Sequence, residues 1–228
     1  LFKNLPYDPI ADIQPVTMLA EYPQGIVISA HNLKSRNLPD LIAELKANPG
    51  KFNAANAGSP NLMFNSLFMR MTGVEMVGVS YNGAGESGPA MMRGESDFTV
   101  VDSSAMAAGI ASGDLVLIAA AGDRRLPSYP DVPATVEQGL TEFQIKGFVG
   151  LYAPGGTPPE VLAKLDAAMK KVLSLPEVQG KLTAFGWLTV NKSTEEFTAA
   201  TTPRSRSGRT WWRARTSRRS TDTRDFDS

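Results

Sequence analysis

The 228-residue chain balances 23 Lys plus Arg against 23 Asp plus Glu and contains no cysteine. That excludes disulfides, thiolate catalysis and Cys-based zinc sites, and no apolar run approaches the roughly 18–20 residues of a membrane-spanning helix. The balance is uneven along the chain: residues 202–228 hold eight Arg and three Asp, a net of +5, so the rest carries −5 and offers no basic footprint for nucleic acid.

In chain order, Val16–Ala20 and Gly25–Ala30 are apolar, β-branched runs that predict two strands. Asn37-Leu38-Pro39-Asp40 opens a helix over Leu41–Ala47, and Asn48-Pro49-Gly50 stops it. Lys51–Ala55 is a short strand. Asn61–Thr72 is an amphipathic helix ended by Gly73. Glu75–Ser80 and Phe98–Val101 are strands, with a brief helix at Glu86–Arg93 between them and another at Ala105–Ser112 after them. Leu115–Ala121 is the continuous apolar strand of a covered sheet. A Pro-rich loop leads to a short helix near Ala134–Gln138. Phe143–Tyr152 is a strand, and Glu160–Ser174 a helix with a stripe at Val161, Leu162, Leu165, Ala168, Met169 and Val172. Pro176–Phe185 is helical and Trp187–Val190 a last strand. Ser193 and Glu196 form a capping box for a final helix. This alternation predicts an α/β fold with a mostly parallel sheet.

Three of the strand-to-helix junctions turn on small polar residues: Asn56-Ala57-Gly58-Ser59-Pro60, Tyr81-Asn82-Gly83-Ala84-Gly85 and Asp102-Ser103-Ser104-Ala105. A helix start carries backbone N–H groups without intrahelical partners and about half a positive charge. Several such starts at the carboxyl ends of parallel strands form an anion site. The expectation is a protein that holds a small anionic molecule.

Other readings fit less well. Gly83–Gly88 matches G-x-G-x-x-G, but its helix is too short for a dinucleotide crossover and Glu86 would face the pyrophosphate. Ser59 lacks the G-x-S-x-G elbow, and its sole candidate base is the single histidine, His31. An α/β hydrolase or transferase using Ser59 is the alternative, and it requires His31 beside that serine. No His and carboxylate spacing points to a metal, no cofactor is implied, and Asp102 reads first as a cap or loop anchor.

The succession Leu5-Pro6-Tyr7-Asp8-Pro9, Gly50-Lys51-Phe52-Asn53, Tyr81-Asn82-Gly83-Ala84, Gly94-Glu95-Ser96-Asp97, Asp131-Val132-Pro133-Ala134-Thr135 and Gly150–Pro158 resembles the Bug (Bordetella uptake gene) family. These are extracytoplasmic, periplasmic solute receptors of tripartite tricarboxylate transporters. The resemblance runs from Leu1 to about Ala200 and implies a two-lobed periplasmic binding protein, a type II-like Venus flytrap, closing on a small carboxylate without catalysis. Residues 1–25 and 147–200 would form the first lobe, incomplete here, and 26–146 the second. The family's opening strand and Gly-rich loop would precede Leu1, so this chain is expected to carry the second-lobe half of the site. By position, Asn56, Gly58 and Ser59 fall on one ligand-facing loop, Tyr81, Asn82 and Gly83 on the next, and Asp102 and Ser103 after the following strand. Phe148 falls where the family often has an aromatic lining the cleft. The implied partners are the ligand and the transporter's membrane subunits, with no nucleic acid and no direct membrane insertion.

After Thr201 the apolar periodicity stops and Arg, Ser and Thr take over. Residues 201–228 are expected to be a disordered, frame-shifted tail: with suitable codons an alternate frame encodes an amphipathic helix continuing the one begun at Glu195.

Overall fold

The computed structural model describes residues 6–8 and 11–201. Apart from Thr201, the tail expected over 201–228 lies outside the described residues, as do Leu5 and Pro9 of the Leu5–Pro9 motif. The elements are β1 (Ile13–Ser29), α1 (Leu38–Ala47), β2 (Asn53–Asn56), α2 (Ser59–Thr72), β3 (Val77–Ser80), α3 (Ala84–Met92) and β4 (Phe98–Asp102). A 3-10 turn (Ser103–Met106) then runs into α4 (Ala107–Ser112), followed by β5 (Leu115–Ala120), β6 (Lys146–Pro154), α5 (Pro159–Leu173), α6 (Pro176–Ala184), β7 (Leu188–Lys192) and α7 (Thr194–Thr201).

These residues fall into two compact units. One holds Leu19–Val149 with Lys171–Val190, the other the described residues of Leu5–Met18, Gly150–Lys170 and Asn191–Ser228. Lys171–Val190 therefore groups with the unit built on 26–146, whereas the resemblance set 147–200 in one lobe throughout. The Trp187 contacts described below give the physical reason.

In the larger unit the sheet order is β3-β2-β4-β1-β5. β2 is parallel to β3, with Asn56 opposite Ser80, and parallel to β4 through Ala54 and Phe98. β1 lies antiparallel between β4 and β5, pairing Gly25 with Val101 and with Ala120. The two strands expected at Val16–Ala20 and Gly25–Ala30 are one continuous β1. Pro23 does not break it, because a proline already has the extended range of φ open to it and lacks only a donor.

Helices cover both faces. On one, Phe68 of α2 packs against Phe98 and Phe143 at ring separations of 4.7 and 5.6 Å, within a core that includes Ile26, Ile28 and Leu41. On the other, Met91, Met106, Val101 and Leu117 form a second cluster. Asn37 caps α1 by accepting from the Asp40 N–H, and Gly73 ends α2 in the left-handed region. The helix expected near Ala134–Gln138 is instead a set of turns. Thr135, fully buried, donates its hydroxyl toward the Gly122 and Phe143 carbonyls, and Gly139 at φ 87° ends the turn.

The smaller unit has a correspondingly small core of Val16, Ala153 and Leu162. Phe197 is fully buried and packs on Tyr152 at 5.2 Å, over Gly150, where a Cβ would collide with its ring. The capping box is formed: the Glu196 N–H donates to Ser193 Oγ at 3.1 Å, and the Ser193 N–H donates to Glu196 Oε2 at 2.8 Å. Of the α5 stripe only Leu162 is buried; Val161 and Leu165 stay exposed.

Candidate functional site

The parallel register of β2 and β3 brings their carboxyl ends side by side, so α2 and α3 start next to one another. Both start at glycines, Gly58 at φ 98° and Gly83 at φ 145°, conformations that side chains rarely adopt. Neither start has a side-chain cap. The ladders begin when Leu62 donates to Gly58 and when Glu86 and Ser87 donate to Gly83. The amides of Ser59, Asn61, Ala84 and Gly85 therefore precede them. By contrast, α1, the 3-10 turn and α7 all have capping side chains.

The site is braced from below by asparagines. Asn56, at the end of β2, accepts from Asn65 Nδ2 at 3.0 Å. Asn65 is fully buried; it also donates to the Ala55 carbonyl and accepts from the Val100 N–H, both at 2.8 Å. Asn61, one turn earlier on α2, donates to the Val100 carbonyl. These bonds join β2 to β4 through side chains, a role not legible in either residue's sequence context.

The third junction is built differently. Asp102 Oδ1 accepts from the Ser104 N–H at 3.0 Å and hydroxyl at 2.9 Å. Its Oδ2 accepts from Trp187 Nε1 at 2.9 Å. The indole stacks on Tyr22 at 5.2 Å and 28°, and Gly147 leaves room for the Tyr22 ring. Burial first, and the Asp102 charge second, push the Tyr22 phenol above its ordinary range. Asp102 thus acts as the cap its sequence context suggests, and it also meets an indole that was not foreseen. Its neighbour Ser103 is buried.

The remaining residues divide. Ser59 and Asn82 are exposed at the helix starts. Tyr81 turns inward, its hydroxyl 2.8 Å from Ser96 Oγ. Phe148, on β6, is 38% exposed. The Glu86 carboxylate accepts from the Asn82 N–H at 2.8 Å. His31 follows β1 beyond the amino end of β4, 3.8 Å from Asp114, whereas Ser59 follows the carboxyl end of parallel β2. The length of β4 alone separates them by more than about 13 Å, so no Ser59–His31 pair exists. Among the described residues no group of three or more His, Asp or Glu could hold a metal, and no helix is long and apolar enough to cross a membrane.

Comparison with known proteins gives a consistent picture. The family description "Tripartite tricarboxylate transporter family receptor" matches residues 1–209. A protein from the gbd 5′ region of Cupriavidus necator is 34% identical over 182 residues, covering 78% of this chain and 54% of that protein. BugT of Bordetella pertussis is 29% identical over 188 residues, 82% of this chain and 57% of its own length. The chain thus spans little more than half of these relatives. Among solved structures, MatC from Rhodopseudomonas palustris with bound malate is 30% identical at a TM-score of 0.75, covering 83% of this chain and 65% of that one. An R. palustris protein with adipate reaches a TM-score of 0.80 at 22% identity, covering 94% and 71%, a likeness of fold. The fold is that of two-lobed periplasmic binding proteins.

Proposed function

Because the chain belongs to the tripartite tricarboxylate transporter receptor family, we propose that it supplies one face of a periplasmic binding site for a small carboxylate. The observation that carries this reading is the pair of adjacent, uncapped glycine helix starts at Gly58 and Gly83. Four backbone amides and two helix dipoles favour an anion there, and glycine lets a ligand approach the backbone closely. Malate in one relative of this fold and adipate in another support the ligand class.

In this reading Ser59 and Asn82 add polar contacts at the rim, and Asn56 holds the end of β2 in place. Tyr81 shapes the turn through its bond to Ser96. Asp102 and Ser103 fix the third junction, and Phe148 lines the cleft. The ligand-bearing lobe is Leu19–Val149 with Lys171–Val190, and Gly150–Lys170 belongs to the other lobe. The loaded receptor delivers its ligand to the membrane subunits of a tripartite transporter.

The test is an amide-resolved NMR titration of the protein with malate, succinate and adipate. Saturable shifts centred on Ser59, Asn61, Ala84 and Gly85 are expected, with matched diamides silent. Saturation centred elsewhere, or no response to any carboxylate at about 50 mM, a concentration that detects even millimolar affinity, overturns it.

A further inference from the structure

Asn82-Gly83, at the start of α3, is the only Asn-Gly pair in the sequence. Asn82 is exposed, and its side-chain amide makes no hydrogen bond among the described residues; Glu86 holds only its main-chain N–H. The asparagines from Asn32 to Asn65 are the contrast, because every one of them has its side-chain amide in a hydrogen bond. Such a bond fixes the amide plane. Without one, Asn82 can turn its Cγ toward the next main-chain nitrogen. That nitrogen belongs to Gly83, whose N–H also has no partner among the described residues. At φ 145° Gly83 has nothing within 4 Å of where a Cβ would stand, so no neighbour shields it. Gly83 is also the cap residue of α3, and the positive end of a helix favours negative charge at that point.

We infer that Asn82 is a site of spontaneous deamidation, and that the reaction turns the receptor into a low-affinity form. Gly83 N gives its proton to solvent base and attacks Asn82 Cγ. The N–Cγ bond forms, the Cγ–Nδ2 bond breaks and ammonia leaves, closing a cyclic imide. Water then opens the imide, either at Cγ to leave an aspartate at position 82 or at the main-chain carbonyl to leave isoaspartate. Net, water is consumed and ammonia released. The attack is intramolecular, which gives the nitrogen a high effective concentration. The anionic nitrogen and the oxyanion that follows both develop beside the uncapped start of α3. The features that attract a carboxylate ligand therefore also favour this reaction. Its product sets a fixed negative charge beside the amides of Ala84 and Gly85, where that ligand would bind. A bound carboxylate occupies the same amides and should slow the reaction. This inference rests on the carboxylate reading of the helix starts.

The experiment ages the protein at mildly alkaline pH, with and without saturating malate, and follows each asparagine by peptide mass spectrometry. Malate affinity is measured by NMR titration on fresh and aged protein and on the Asn82→Asp and Asn82→Gln variants, with melting temperatures verifying the fold. Asn82 should convert ahead of every other asparagine, and malate should slow it in proportion to occupancy. Asn82→Asp should bind malate about tenfold more weakly than fresh wild type, the size of one nearby like charge. Aged wild type should fall toward that value. Aged Asn82→Gln, whose longer side chain does not close the five-membered imide, should keep the affinity it started with. Conversion at Asn82 no faster than at Asn32 or Asn61 overturns the inference. So does an Asn82→Asp variant that binds malate as tightly as wild type, or a rate that malate leaves unchanged while it binds; in both cases the carboxylate site stands. If fresh wild type responds to no carboxylate although Asn82 converts first, the carboxylate reading falls and takes the loss of affinity with it.

Discussion

Trp187 donates its indole N–H to Asp102 at 2.9 Å, tying the segment before β7 to the carboxyl end of β4. The same carboxylate caps the 3-10 turn through Ser104, so one side chain organises both a helix start and a tertiary contact. Trp187→Phe keeps an aromatic ring over Tyr22 but leaves half of the Asp102 carboxylate without its donor. The expected cost is about 1–3 kcal/mol in urea unfolding. In the Asp102→Asn background the same change should cost clearly less. Equal costs in both backgrounds would show that the bond contributes nothing.

Asn65 is the second point of leverage. Asn65→Ala removes three hydrogen bonds and leaves the Val100 N–H buried without an acceptor. A loss of about 2–4 kcal/mol is expected, with faster hydrogen exchange at Val100. Because Asn65 also holds Asn56, the variant should weaken carboxylate binding even when folded. Unchanged binding in the folded variant would detach Asn56 from the site.

Much of this architecture could be read from the chain before folding. Gly58, Gly83 and Asp102 follow short strand-like runs and precede helical periodicity, and such local punctuation survives into the structure. The Ser193–Glu196 box is equally local. The Trp187–Asp102 bond joins residues far apart in sequence, and no periodicity marks either of them as a pair. Asn65 sits in an amphipathic helix where an asparagine reads as surface; only the gap between β2 and β4 gives it a buried role. The turns at 134–139 were hidden because Thr135 is held by the distant carbonyls of Gly122 and Phe143.

Ser193→Ala should lower stability by about 1 kcal/mol, the usual worth of an N-cap. The signature to look for is increased hydrogen exchange in α7 alone. Exchange spread evenly over the larger unit would mean that α7 does not open separately.

Acid should destabilise the protein in a defined window. The Glu95 and Glu137 carboxyls are held below their ordinary range, chiefly by hydrogen bonds from Arg93 and Arg125, and that of Glu196 chiefly by the Ser193 N–H. A depressed folded pKa contributes stability that is complete above the unfolded value near 4.3 and is lost as pH falls through the folded value. The melting temperature should therefore hold from neutral to about pH 5 and drop below about pH 4.5. Added salt should shrink the part due to the exposed arginine pairs. A melting temperature flat between pH 5 and pH 3 would contradict this.

The antiparallel placement of β1 has a consequence for how the chain is made. Gly25 must find Val101 on one side and Ala120 on the other. At a synthesis rate of roughly 5–20 residues per second, this strand emerges on the order of 4–15 s before its first neighbour exists. During that interval the apolar run Ile26-Val27-Ile28 has no ladder to join, and such unpaired strands are where nascent chains stick to one another. The middle of the sheet is thus translated first and closed late, so the yield of folded protein should depend on how well the cell shields Ile26–Ile28 while β4 and β5 are still being translated.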